Sequence, residues 1–143
     1  MSAFEAKLDG LLYSLLSWDQ LTAFWPRINT HAGWYLYAVG QDVVSAPATA
    51  QQVSEFIHKI DDLLRKEHEE SYCGIVYADD LQNPQFIVIY DPQNLGLSCG
   101  SSKERVLPGW VMSQVPPVDL QPKVVPTNRK RWWENFLGGK VAH

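Results

Sequence analysis

Two short apolar runs, rich in β-branched and aromatic residues, form the most regular pattern in the chain. The first spans 72–78 and the second 86–91, and the polar loop between them ends in Pro84. Runs of this kind on either side of a turn predict a β-hairpin over 72–91. Neither run alternates apolar with polar residues, so we expect both faces of the hairpin to be covered, or one face to meet a partner.

The clearest helix is predicted over 49–70. Thr49 and Gln52 fit a capping box at its start. Acidic residues that precede basic residues by four positions indicate that one side of this helix is solvated. The other side carries an apolar stripe at helical spacing, which consists of Val53, Phe56, Ile57, Ile60, Leu63 and Leu64.

The N-terminal region predicts two further helices. A capping box at Ser2 and apolar residues at helical spacing predict one helix that continues through Gly10 to Leu16. A second capping box at Ser17 opens a shorter helix that ends before Pro26. These two predicted helices contain more apolar residues than surface helices usually do. Two interpretations are open: the pair folds onto the sheet, or it forms the contact surface of a homodimer.

Two more strands complete the predicted sheet. The run 34–39 is rich in aromatic residues typical of strands, and 106–115 has a strand-like outline that a Pro-Gly dipeptide interrupts. The predicted order of elements is α-α-β-α-β-β-(β)-α, which indicates a single α+β domain over 1–115. Its centre would be a small antiparallel sheet of about three or four strands, with the hairpin 72–91 central and helices packed against it.

The C-terminal part of the chain differs in composition. Four prolines punctuate 116–127 and predict an extended linker, and 128–143 predicts a short basic and aromatic helix. Two interpretations of this helix are favoured: it docks on its own acidic domain, or it is a recognition segment for another protein. A third, an anchor at a membrane surface, is disfavoured because 128–143 has only four basic residues. In the second case the partner-binding residues are Arg129, Arg131, Trp132, Trp133, Phe136 and Leu137.

Charge and composition narrow the function classes. The chain has 143 residues, of which 45% are hydrophobic and 20% charged, as in ordinary globular proteins. The net charge of −4 divides into −7 for 1–115 and +3 for 116–143. An acidic domain disfavours broad contact with nucleic acid, because the phosphates would be repelled. We also expect no membrane span and no signal peptide, hence the cytoplasm, where both cysteines would stay reduced.

One loop has the composition of an anion site. The stretch 96–105 is rich in glycine and serine, and exposed backbone N–H groups beside basic side chains can hold an anion. It lacks the spacing of a P-loop, and a surface loop without a ligand is the simpler interpretation. The candidate residues are Cys99, Gly100, Ser101, Ser102, Lys103 and Arg105.

The sequence predicts no catalytic set, metal site or cofactor. It contains neither a C-x-x-C nor an H-x-x-x-H pair, and Asp79, Asp80 and Asp91 fit ordinary turns. The sequence therefore favours a non-enzymatic adaptor or accessory domain that binds another protein or a second copy of itself. Its contact surfaces would be the Trp-rich C-terminal segment and the apolar helices. The alternative is a small-molecule or anion-binding domain, or a small enzyme with a reactive Cys99, that uses the loop 96–105.

Overall fold

The computed structural model describes residues 2–94, 107–120 and 128–134. Short 3-10 turns occur at Trp25–Arg27 and Pro92–Asn94. In chain order the helices and strands are α1 (Ala3–Leu8), β1 (Tyr13–Leu15), α2 (Trp18–Phe24), β2 (Tyr35–Ala38), α3 (Ala50–Glu67), β3 (Val76–Ala78), β4 (Phe86–Ile89), β5 (Trp110–Ser113) and α4, a helical segment at 128–134.

The five strands form one antiparallel sheet in the order β1-β3-β4-β5-β2. The predicted α+β class is confirmed, although the sheet has one strand more than the three or four expected. The predicted hairpin is β3 and β4, with Val76 opposite Ile89 and Ala78 opposite Ile87. In this order β4 is the central strand, and β1 and β2 are the two edge strands.

The additional strand comes from the N-terminal region, where the prediction of one helix through Gly10 to Leu16 is wrong. α1 ends at Leu8, and the backbone N–H of Asp9 closes its last turn. The chain then extends, and Tyr13–Leu15 pairs with β3. Pairing satisfies the backbone groups of this segment and buries a leucine in the core, which outweighs its helix propensity.

Three predicted helix starts are confirmed by their hydrogen bonds. Ser2, Ser17 and Thr49 each accept a hydrogen bond from the third residue of the helix that follows, and the side chain of that residue bonds back to the cap. These capping boxes satisfy N–H groups that have no partner inside a helix. The apolar stripe of α3 is buried as predicted at Val53, Phe56, Ile60, Leu63 and Leu64.

Both faces of the sheet are covered by the chain itself. The face that carries Ile87 and Ile89 lies in one apolar cluster with residues of α2 and α3. The face that carries Phe86 and Val88 lies in a second cluster, with Phe4 of α1 and apolar side chains of the segment 115–120 packed on it. The two-sided apolar hairpin therefore needs no partner to cover either face.

Candidate functional site

The C-terminal helix α4 packs on its own domain. The indole of Trp133 is 4% exposed and lies edge-on to Phe56 of α3, with ring centroids 6.2 Å apart. The half-buried Trp132 lies edge-on to Phe56 at 6.4 Å and to Trp110 of β5 at 5.6 Å. Aromatic pairs in this geometry stabilise contacts beyond the area they bury. In the structure, therefore, the helix docks on its own domain, which is one of the interpretations that the sequence leaves open.

A buried ionic group fixes the start of α4. The guanidinium of Arg129 donates to Asp91 at the end of β4, from Nε to Oδ2 at 2.8 Å and from Nη2 to Oδ1 at 3.0 Å. The same group donates to Glu67 at the end of α3, from Nη1 to Oε2 at 3.1 Å. Burial alone would lower the pKa of Arg129, but the hydrogen bonds to the two carboxylates outweigh it and raise the pKa. Arg129 therefore stays charged and joins three elements of the fold.

The backbone around Asp91 is shaped to admit this group. The Asp91 carboxylate also accepts the N–H of Gln93 at 2.9 Å. A Cβ atom on Gly109, just before β5, would lie 3.0 Å from the Cβ of Asp91. A larger residue at 109 fits only if Asp91, the partner of Arg129, shifts by a few tenths of an ångström, and glycine avoids that shift.

The residues predicted to bind a partner have different surroundings. Arg129 and Trp133 are buried within the domain, Trp132 is half-buried and Arg131 is exposed. Phe136 and Leu137 lie outside the described residues, as does the whole candidate anion loop 96–105 with Cys99, Lys103 and Arg105. Their roles in binding a partner or a ligand stay predictions.

A cavity of about 180 Å³ lies between β2, the loop that follows it and α4. Gln52, at the start of α3, is the one residue with a polar side chain among those that line it. Sites that orient a reacting ligand usually bring several polar groups together among apolar walls. This cavity therefore suits the packing of a small apolar group rather than a reaction; it is lined by Leu36, Val44, Ala46, Pro47, Ala48, Gln52 and Trp133.

The thiol of Cys73 is in a poor position to react. Cys73 is fully buried, and burial raises the pKa of its thiol, with backbone N–H groups only partly offsetting the effect. The thiolate is the reactive form, so a raised pKa makes this cysteine inert near neutral pH. Its carbonyl oxygen lies 3.0 Å from Nε2 of His68, whose ring packs edge-on against Trp18 and Tyr72.

The carboxylates of the hairpin loop have turn roles, as the sequence predicts. Asp79 accepts the N–H groups of Gln85 and Phe86 and pairs with Lys7 at 3.0 Å. Asp80 accepts two further backbone N–H groups, which lower the pKa of its carboxyl. Within the described residues, no three His, Cys, Asp or Glu side chains are grouped so that they could hold a metal ion.

Exposed apolar side chains gather instead at the β1 edge of the sheet. Leu11 is 72% exposed, Leu16 64%, Tyr72 53% and Tyr13 46%. Of the large hydrophobic residues exposed in the described part of the chain, Val43 is the one that lies elsewhere. We call these four side chains, Leu11, Tyr13, Leu16 and Tyr72, the apolar edge.

Backbone hydrogen bonds bring the two halves of the apolar edge together. The N–H of Cys73 donates to the carbonyl of Leu16 at 2.9 Å, and the N–H of Gly74 donates to the carbonyl of Leu15 at 2.8 Å. Gly74 has a φ of +69°, which glycine adopts without the strain of a side chain. Tyr72 is thereby placed next to Leu16, although 56 positions separate them along the chain.

Among the described residues, no strand pairs with β1 beyond β3, or with β2 beyond β5. Ile75 and Asp79 bond to the segment of β4, so the backbone groups of Tyr77 between them also face β4, and those of Val76 and Ala78 face β1. Tyr13 and Leu15 pair with these two residues, so the N–H and C=O of Ser14 point to the outer side. At the opposite edge, the N–H of Ala48 donates to the carbonyl of Trp34 at 2.7 Å, so the loop after β2 returns to the residue just before the start of that strand.

Part of the apolar edge lies in a region that the sequence marks as a candidate contact surface. The sequence pattern places the dense apolar residues before Pro26 on helices, however, and does not connect them with Tyr72. The available signal was the run 11–16, in which five of six residues are apolar. One element exposed to water on one side cannot bury that many apolar side chains.

No family model, curated protein or solved structure is significantly similar to this chain. In the described part of the chain, no helix combines the length and the apolar character needed to cross a membrane. The function must therefore be argued from the geometry of the chain itself.

Proposed function

We propose that this protein is a non-enzymatic protein–protein interaction domain that binds its partner at the apolar edge. The observation that supports the proposal is the concentration of Leu11, Tyr13, Leu16 and Tyr72 beside an open edge strand. Contiguous exposed apolar side chains mark interaction surfaces on soluble proteins. An open edge strand can also accept a strand from another chain through main-chain hydrogen bonds.

The rest of the fold acts as a rigid support for this edge. Leu15, the residue of β1 between the exposed positions, is 2% exposed and anchors the strand in the core. Away from this edge, Arg129 and Trp133 bind α4 to the domain. Their side chains therefore make contacts within the chain rather than with a partner. These contacts favour the apolar edge over the C-terminal segment as the principal contact surface.

We further propose that the domain acts in the cytoplasm as an adaptor or accessory factor, where Cys73 would stay reduced. A second copy of the chain is an alternative partner at the same edge. The competing function, a ligand site or small enzyme at the loop 96–105, draws no support from the described residues, because that loop lies outside them.

Paired surface substitutions test the proposal. The double variant Leu11→Ser/Leu16→Ser removes two exposed leucines and should keep the thermal stability of the wild type, because exposed positions change stability by only about 0.5 kcal/mol. Val43→Ser is the matched control, since Val43 is also an exposed apolar residue but lies at the other edge. Proteins that co-purify from a native cell extract with each tagged variant are quantified against the wild type.

The expected result is a specific loss. A protein that co-purifies with the wild type and with Val43→Ser should be depleted by about tenfold or more with the double variant, since losing about 1.4 kcal/mol lowers affinity tenfold. If every wild-type partner is retained by the stable double variant, the apolar edge is not the binding surface.

A further inference from the structure

Acidic residues outnumber basic ones in the two segments that carry the apolar edge. These segments, 2–20 and 68–80, contain seven acidic residues and one lysine. One further cation reaches them: Arg65 of α3 donates to the carbonyl of Trp18 at 3.3 Å and is paired with Asp61 at 3.0 Å. The lysine, Lys7, is paired with Asp79 at 3.0 Å. Six of the seven acidic residues are exposed: Glu5, Asp9, Asp19, Glu69, Glu70 and Asp80.

Three of these acids flank one end of the edge. The indole N–H of Trp18 donates to the backbone carbonyl of Glu70 at 3.1 Å, which holds the turn after α3 against the start of α2. Asp19 follows Trp18 directly, and Glu69 precedes Glu70. The carboxylates of Asp19, Glu69 and Glu70 are therefore carried by the same two segments that present Leu16 and Tyr72.

The charge distribution disfavours a second copy as the occupant. If β1 paired with β1 of a second copy, the acidic side chains near this strand would face those of the other copy. Like charges that face each other oppose association. A partner with lysine or arginine beside its apolar residues would meet opposite charge instead. Such complementarity selects partners and speeds their encounter.

The backbone of β1 specifies the shape of the partner segment. Ser14 directs its N–H and C=O to the open side, so an extended chain can pair with it as a further strand. In an added strand, alternate side chains point to opposite faces of the sheet. One set would lie along the face that carries Tyr13, and the other along the face that carries Ser14.

We propose that the occupant of the apolar edge is an extended segment of another protein, with apolar and basic residues in alternation, that adds to β1 as a sixth strand. The inference rests on the proposed function, since it names the partner class for the same surface. It excludes acidic segments and the chain's own edge as the preferred occupants.

Three end-capped heptapeptides test this inference. The first alternates lysine with valine, the second replaces each lysine with glutamate, and the third replaces each lysine with serine. Each is titrated into the full-length protein and followed through its backbone amide resonances. We expect the lysine peptide to shift the resonances of 13–15 and 72–74, and to bind at least about tenfold more tightly than the glutamate peptide at low salt.

Charge variants give the matched control. Glu69→Gln/Glu70→Gln should weaken binding of the lysine peptide several-fold and reduce its dependence on salt, while the serine peptide is unaffected. Asp62→Gln, which changes an exposed carboxylate on α3, should leave all three affinities unchanged.

The outcomes separate this inference from the proposed function. No shift at the edge with the lysine peptide, or equal binding of the serine or glutamate peptide there, overturns the basic partner class. A dimer in sedimentation that Leu16→Ser abolishes also overturns it, because the occupant is then a second copy, while the edge remains a contact surface. The proposed function fails separately, if the Leu11→Ser/Leu16→Ser variant keeps every partner.

Discussion

The guanidinium of Arg129 and the carboxylate of Asp91 form a two-point pair across 38 positions of the chain, with N–O distances of 2.8 and 3.0 Å. Both side chains are buried, at 6% and 8% exposure. The Nη1 atom of the same guanidinium donates to Glu67. The Cζ atom of Arg129 lies 5.8 Å from the ring centroid of Trp110. The pair makes the C-terminal helix part of the domain.

Breaking this pair should destabilise the whole domain. Arg129→Met keeps most of the side-chain volume but leaves the buried carboxylate of Asp91 without its charged partner. We expect the free energy of unfolding to fall by about 3–5 kcal/mol, as for other buried pairs that lose one member. Urea denaturation measures the loss, with Arg131→Met, at an exposed position, as the matched control near zero.

Removing the stranded charge should recover part of that loss. In the double variant Arg129→Met/Asp91→Asn, the charge of the buried Asp91 is removed and only the more exposed Glu67 is left without its partner, so the combined cost should be smaller than the sum of the single costs. Additive costs, or an Arg129→Met variant as stable as Arg131→Met, would show that the ion pair does not hold α4 in place.

Trp133 should contribute to stability as a core residue does. It is 4% exposed and belongs to the same cluster as Phe56. Trp133→Ala should lower the free energy of unfolding by about 3–5 kcal/mol, because it removes a large buried ring and leaves a cavity. Glu134→Ala changes the next, exposed residue and should be nearly neutral. Equal stability of the two variants would show that α4 is not docked in solution.

Gly109→Ala should act through Asp91. The added methyl group would lie 3.0 Å from the Cβ and 3.3 Å from the backbone nitrogen of Asp91. Forcing these atoms apart should cost about 1–3 kcal/mol, the usual range for overpacking. The cost should shrink in the Arg129→Met background, where the position of Asp91 matters less. If Gly109→Ala lowers the free energy of unfolding equally in the wild-type and Arg129→Met backgrounds, Gly109 does not act through the ion pair.

Alkaline pH should destabilise the protein through Cys73. Burial raises the pKa of this thiol above its ordinary value of 9.0. The stability that the neutral Cys73 thiol contributes is fully present below pH 9.0, the pKa of an ordinary thiol. It is lost as the pH rises from there through the raised pKa of Cys73 in the folded state. Wild-type stability should therefore fall more steeply above about pH 9 than that of Cys73→Ala.

Alkylation gives a second readout of the same thiol. Iodoacetamide should modify Cys73 much more slowly in the folded protein than in urea, since the buried thiol is neutral and inaccessible. Mass spectrometry of the peptide that contains Cys73 separates it from Cys99. An equal rate in folded and unfolded protein would contradict the burial of this side chain.

Local signals were enough to predict the hairpin, α3 and three helix caps. Each depends on residues close in sequence, such as Thr49 with Gln52, or on a long apolar stripe with one clear period. Because Phe86, Ile87 and Val88 leave no polar face, the pattern alone predicted that both hairpin faces are covered or that one meets a partner. The structure has both faces covered by the chain itself.

The errors and omissions concern contacts between distant segments. The run 11–16 fits a helix as well as a strand, and its pairing with β3, more than 60 positions later, decides between them. The ion pair of Arg129 with Asp91 likewise has no local signature, since each residue alone fits a surface role. The apolar edge was missed because it exists only when Leu16 and Tyr72 are brought together.

Site-specific photo-crosslinking tests most directly whether the apolar edge is the partner surface. A benzophenone amino acid replaces Leu16 in one protein and His58, exposed on α3, in the other. Irradiation in cells should link position 16, but not position 58, to a discrete partner, and Leu11→Ser should weaken that product. Equal crosslinking from both positions, or a discrete product from position 58 alone, would contradict the assignment of this edge as the binding surface.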